Sequence, residues 1–143
     1  MLAGDGPCRA RLERLAAELG VARAVEFAGH VEDVAAVYRS LDVFLFPSLA
    51  EPLGSALLTA MAYGLPVVAR PSGAVPEVIE DGGNGLFASE EPGAFAAAVL
   101  RLLDDAELAA RLGAAARLTV EQQFSADAMI QGTLQVYHRV LAC

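Results

Sequence analysis

The stretch from Asp42 to Ala69, DVFLFPSLAEPLGSALLTAMAYGLPVVA, leaves this chain few folds to choose from. DVFLF is a short, wholly apolar run of β-formers, the kind buried on both faces of a parallel sheet. PSLAEPLG then breaks regular structure with two prolines and a glycine. SALLTAMAY resumes with helix formers, Gly64 and Pro66 stop it, and PVVA is a strand again. Strand, loop, helix and strand in this order start the helix where the first strand's carboxyl end opens. Ligands of open parallel sheets bind at that end, and a helix start there presents backbone N–H groups and a positive dipole end to an anion, typically phosphate. Glu51 stands in the loop, one turn ahead of the helix, where a carboxylate is placed to grip hydroxyls.

The rest of the chain repeats the alternation. Met1 to Ala3 read as the end of a strand, and Gly4-Asp5-Gly6-Pro7 as a turn with Pro7 poised at a helix start. CRARLERLAAELG carries Leu12, Leu15, Ala16 and Leu19 on one face, to pack on a sheet, and Gly20 ends it. AVEFAG is the next strand, with Gly29-His30-Val31 the turn at its carboxyl end. VEDVAAVYRSL makes a short helix with Val34, Val37, Tyr38 and Leu41 towards the sheet. After PVVA, Pro76 starts a short PEVIE helix, Gly82 to Gly85 form a turn, and GLFA is a last, edge-like strand. From Glu91 onward the chain is helical, broken at Asp104-Asp105, with Ser125 as the N-cap of the final helix. Short alternating strands and helices argue for a three-layer α/β fold, a parallel sheet flanked by helices.

Several chemistries drop out. The formal net charge of −8 disfavours nucleic acid and anionic membrane surfaces as partners. Cys8 and Cys143 stand at opposite ends with no ligand at metal spacing, so a reduced, intracellular setting is the default. Met1 is followed by neither a signal-like segment nor an apolar run long enough to span a bilayer. No Ser-His-Asp set or P-loop occurs at useful spacing. Gly4-x-Gly6 would want a third glycine where Arg9 stands, so an NAD-dependent oxidoreductase fails on the glycine pattern. His30 has no visible partner and reads first as a turn residue. Tyr38 reads as core, and Glu77 as an acid in a helix's first turn.

EPLG at 51–54 leading into LTAMAYGLPVVA at 58–69 resembles the donor-binding signature of the group 1 glycosyltransferases, retaining enzymes of the GT-B fold that use nucleotide sugars. In that family the pattern is a Glu, seven residues and a second Glu, then AMA-x-G-x-PVVA; Thr59 replaces the second acid here. FAGHV at 27–31, PS at 47–48, and PEVI, DG and GLF in the segment 70–87 extend the likeness, with Ala74 replacing the second glycine of a family pair. The resemblance implies a single nucleotide-sugar-binding, Rossmann-like domain over 1–143, the carboxyl-terminal half of a GT-B fold, with 91–143 as closing helices. GDGP at 4–7 would close that domain's second strand, so the first strand is not in this sequence.

The same resemblance implies a hexosyltransferase donor site: Val31 at the base, Thr59 near the ribose, backbone N–H groups of Gly54, Ser55 and Ala56 at the diphosphate, and Glu51 at the sugar hydroxyls as the catalytic residue. The substrate would be a UDP-, GDP- or ADP-sugar, with no cofactor and no metal. The partner would be an amino-terminal acceptor domain, or a second copy through self-association. The setting would be cytoplasmic, the full enzyme lying peripheral to the inner face of a membrane that this domain itself does not touch. Thr59 and the missing strand favour an alternative, a non-catalytic nucleotide-binding or interaction module. The strands near Met1 and Asp42, which the missing strand would separate, must pair directly or leave open edges.

Overall fold

The computed structural model describes every residue except Ala50, Glu51, Leu53 and Cys143. It divides into two compact units, residues 1–40 and residues 41–143.

In the first unit, β1 (Leu2–Ala3) pairs in parallel with β2 (Phe27–Gly29), through Leu2 opposite Phe27 and Ala3 opposite Gly29. Helix α1 (Arg9–Glu18) joins them and stops at Gly20, whose φ of 70° suits glycine. Helix α2 (Val34–Arg39) follows, its N-cap Asp33 accepting from the Ala36 N–H at 2.9 Å. Tyr38 is buried, as its place on the inner face of α2 requires. The apolar face expected of α1 is largely uncovered: Ala16 is buried, whereas Leu12, Leu15 and Leu19 are exposed. Strands of two and three residues offer too little surface to cover a helix of 10. Val34 of α2 is exposed for the same reason.

The second unit is built on a parallel sheet in the order β3-β4-β5, with β3 Phe44–Phe46, β4 Val67–Ala69 and β5 Leu86–Phe87. Phe44, Leu45 and Phe46 lie opposite Val67, Val68 and Ala69, and Val68 and Ala69 lie opposite Leu86 and Phe87. The middle strand β4 is wholly buried. DVFLF, expected to be covered on both faces, is not: Leu45 is 48% exposed, because β3 is an edge of its sheet. Likewise β1 is an edge of the two-stranded sheet.

Helix α3 (Ser55–Ala62) connects β3 to β4 and buries Leu57, Ala60 and Met61 completely. It ends in a Schellman turn, with the Gly64 N–H donating to Met61 O at 2.9 Å and the Leu65 N–H to Ala60 O at 3.1 Å, while Gly64 takes φ 74°. Helix α4 (Val75–Val78) has Pro76 in its first turn and leads to β5. Between them the buried Asn84 secures the turn: Oδ1 accepts from the Glu80 N–H at 2.8 Å, and Nδ2 donates to Val78 O and Thr119 Oγ1, each at 3.0 Å. Helices α5 (Pro92–Asp104) and α6 (Ala106–Gln123) meet at Asp105, whose carboxylate caps α6 by accepting from the Leu108 N–H at 2.8 Å. Val68, Leu86, Ala88, Leu102, Leu108 and Leu112 form the core between sheet and helices.

Helix α6 also packs on α3, and Gly113 makes this possible: a Cβ there would stand 2.1 Å from the Gly64 carbonyl oxygen. Ser125 caps α7 (Ala126–Leu141), as its sequence position indicates. No residue of α7 is buried, and its Met, Leu, Ile and Val side chains face solvent. Among the described residues no helix is long and apolar enough to cross a membrane.

Candidate functional site

In a parallel sheet all carboxyl ends lie on one side, so the loops after β3, β4 and β5 gather at a single rim. The backbone continues the pairing past the strands: the Arg70 N–H donates to Phe46 O at 3.0 Å and the Ala88 N–H to Ala69 O at 2.9 Å. Two side-chain contacts then tie the loops together. Ser72 Oγ donates to Ser48 O at 2.6 Å, joining the loop after β4 to the loop after β3. Arg70 Nη2 pairs with Glu90 Oε1, joining β4 to the segment that enters α5.

The amino end of α3 opens into this rim. Gly54 precedes it with φ 73° and ψ 56°, a left-handed conformation that a side chain would strain, and so turns the chain sharply into the helix. Gly54 is buried, while Ser55 and Ala56 are exposed in the first turn. The three residues assigned to a diphosphate are thus contiguous at the positive end of a helix dipole. Thr59 lies one turn further on, half-buried, and its hydroxyl donates to Ser55 O at 2.8 Å. Its proton is committed to the helix backbone, and only its oxygen lone pairs are left to accept from a ligand hydroxyl.

Val31 is half-buried in the turn after β2 and belongs to the first unit. Gly29 beside it takes φ 66°, and a Cβ there would stand 3.1 Å from Arg9 Nη1. His30 is exposed in the same turn. Glu51, expected at the sugar hydroxyls, lies outside the described residues. Glu77 sits in the first turn of α4, where the helix dipole is reason enough for an acid. A concavity of about 290 Å³ in the first unit is walled mainly by Leu2, Pro7, Leu12 and Phe27. Its cation, Arg9, is held by Glu13 at 2.9 Å and by Phe27 O at 3.2 Å, which leaves a largely apolar hollow rather than a phosphate site. Among the described residues no three metal-ligating side chains converge.

Arg70 and Ser72 carry no weight in the motif reading, yet both stand at the rim. For Arg70 the sequence does hold a signal, since no other Arg or Lys occurs between Arg39 and Arg101. For Ser72 it holds none, because its bond to Ser48 depends on the pairing of β3 with β4.

Known proteins resemble this chain in sequence and in fold. The family model described as glycosyl transferases group 1 matches residues 1–105. The lipopolysaccharide core biosynthesis glycosyltransferase LpsE of Rhizobium meliloti (strain 1021) is 37% identical over 94% of this chain and 40% of its own length. The sucrose-phosphate synthase of Thermosynechococcus elongatus superposes with a TM-score of 0.87 at 30% identity, over 99% of this chain and 38% of that one. HepE of Anabaena, solved in complex with UDP, superposes with a TM-score of 0.87 at 24% identity, over 99% of this chain and 40% of that one. The chain therefore spans about two fifths of the length of these proteins. Parallel strands flanked by helices, a helix opening at the strands' carboxyl ends and a family match across most of the sequence lead to one assignment: the chain belongs to the group 1 glycosyltransferases.

Proposed function

We propose that this chain is the donor-binding domain of a retaining, nucleotide-sugar-dependent hexosyltransferase, which transfers sugar once an amino-terminal acceptor domain completes it. The observation that carries the reading is the amino end of α3, opened by the left-handed Gly54 at the carboxyl rim of β3 and β4. The dipole and backbone N–H groups of a helix start favour a diphosphate. Ser48 and Ser72 hold the neighbouring loops in place, which suits catalysis by positioning and by stabilising the leaving nucleotide's charge. The UDP bound by HepE supports a nucleotide as ligand. In this reading Val31 lies at the base, Thr59 near the ribose, Gly54, Ser55 and Ala56 at the diphosphate, and Glu51 at the sugar hydroxyls, without a metal or cofactor. Membrane contact, where it occurs, belongs to the other domain.

Titration calorimetry of the chain with UDP, GDP, ADP and their sugar conjugates, repeated on Glu51→Ala, tests it. Saturable binding of one nucleotide is expected, with a gain from the sugar that the variant loses. Hydrogen bonds to a charged group contribute about 1.5–3 kcal/mol, so the loss should be about tenfold or more. A second reading, a non-catalytic module of the same fold, is favoured by the Thr59 hydroxyl being committed to Ser55 O. A cooperatively folded chain that binds no nucleotide would put that reading first.

A further inference from the structure

Arg70 is a fixed cation at the ligand rim of the sheet. It follows β4, the middle strand, and its own N–H donates to Phe46 O, so its backbone is set beside Pro47 and Ser48 where the loop towards α3 begins. Its side chain is 19% exposed, whereas that of its partner Glu90 is 74% exposed. The pair is therefore asymmetric: the arginine side chain is largely covered, and the carboxylate reaches it from solvent. Ion pairs with an exposed partner contribute little, so a ligand oxyanion can displace Glu90 cheaply. A guanidinium takes two phosphate oxygens at once, a geometry no ammonium reproduces.

We propose that Arg70 binds the diphosphate of the nucleotide donor, in exchange for Glu90. The inference rests on the nucleotide-sugar reading above and adds to it a side chain that the donor motif does not contain. A full positive charge then stands at the same rim as the partial charge of α3, and Glu90 acts as an internal competitor that holds Arg70 in place when the site is empty.

The test is calorimetric titration of the chain and of Arg70→Gln, Arg70→Lys and Glu90→Gln with UDP, UMP and inorganic pyrophosphate, alongside each variant's unfolding temperature. Arg70→Gln should weaken UDP by roughly 10- to 100-fold and UMP by much less, with Arg70→Lys recovering part of the loss. Glu90→Gln should tighten UDP several-fold without raising the unfolding temperature, because it removes a competitor rather than strengthening the fold. Unchanged UDP binding in Arg70→Gln overturns the proposal. So does an equal loss of UDP and UMP together with a lowered unfolding temperature, which would make the ion pair structural only. Pyrophosphate separates this inference from the reading beneath it. If the chain binds pyrophosphate through Arg70 but gains nothing from the nucleoside, the anion site stands and the nucleotide reading falls. If it binds neither, both fall.

Discussion

Thr59 shows how a single side chain can set the strength of a site. One turn inside α3, it spends its hydroxyl proton on Ser55 O, so it offers a ligand only neutral oxygen lone pairs where a carboxylate would offer two charged oxygens. Thr59→Glu is expected to tighten nucleotide binding by about tenfold or more, the equivalent of about 1.5–3 kcal/mol for a charged hydrogen bond. Calorimetric titration with UDP reads this directly, and no gain would count against the donor assignment. Asn84 sets stability instead. It is 7% exposed and serves three partners, the Glu80 N–H, Val78 O and Thr119 Oγ1. Asn84→Ala leaves the two backbone groups without their partner, at about 1–3 kcal/mol for each that stays dry. The expected fall in unfolding temperature is roughly 3–10 °C for each such group in a chain of this size. A fall of less than a degree would mean that water replaces the amide.

At the scale of elements, helix and strand order was legible in the sequence because it rests on local signals: the periodicity of α6, the Gly64-x-Pro66 stop, the Asp104-Asp105 break and Ser125 as a cap. What covers each face was not, because an apolar stripe names a face and not its neighbour. Leu12, Leu15 and Leu45 lie on stripes read as buried, and each is exposed where the adjoining sheet is short or ends. The donor motif located the start of α3, but the ties around it, Ser48 to Ser72 and Arg70 to Glu90, come from residues 24 and 20 positions apart and exist only once the strands pair. Gly113 is a similar case, its need for glycine arising from the carbonyl of Gly64 on another element. Alanine there gains about 1 kcal/mol in helix propensity but meets an oxygen at 2.1 Å, a backbone atom that cannot swing aside. Overpacking costs typically about 1–3 kcal/mol, so Gly113→Ala should lower stability. Gly132 in α7 is the control, since a Cβ there meets nothing within 4 Å. Gly132→Ala should raise stability by about 0.8–1 kcal/mol. Denaturant melts of the two variants should move in opposite directions, and parallel shifts would contradict the packing of α3 on α6.

The two units of the whole molecule differ in how much they bury. In residues 1–40 the buried apolar side chains are Ala16 and Tyr38, beside strands of two and three residues; in residues 41–143 they include Phe46, Leu57, Met61, Val67, Val68, Leu102 and Leu112. Local opening costs least where few apolar contacts are broken, so the first unit should open without the second. Native-state amide exchange is the measurement. Amides of α1 and α2 should exchange at least about tenfold faster than those of β4 and the centre of α6, a difference of about 1.4 kcal/mol in opening free energy. Equal protection in α1 and α6 would show that the chain unfolds as one unit and contradict this prediction.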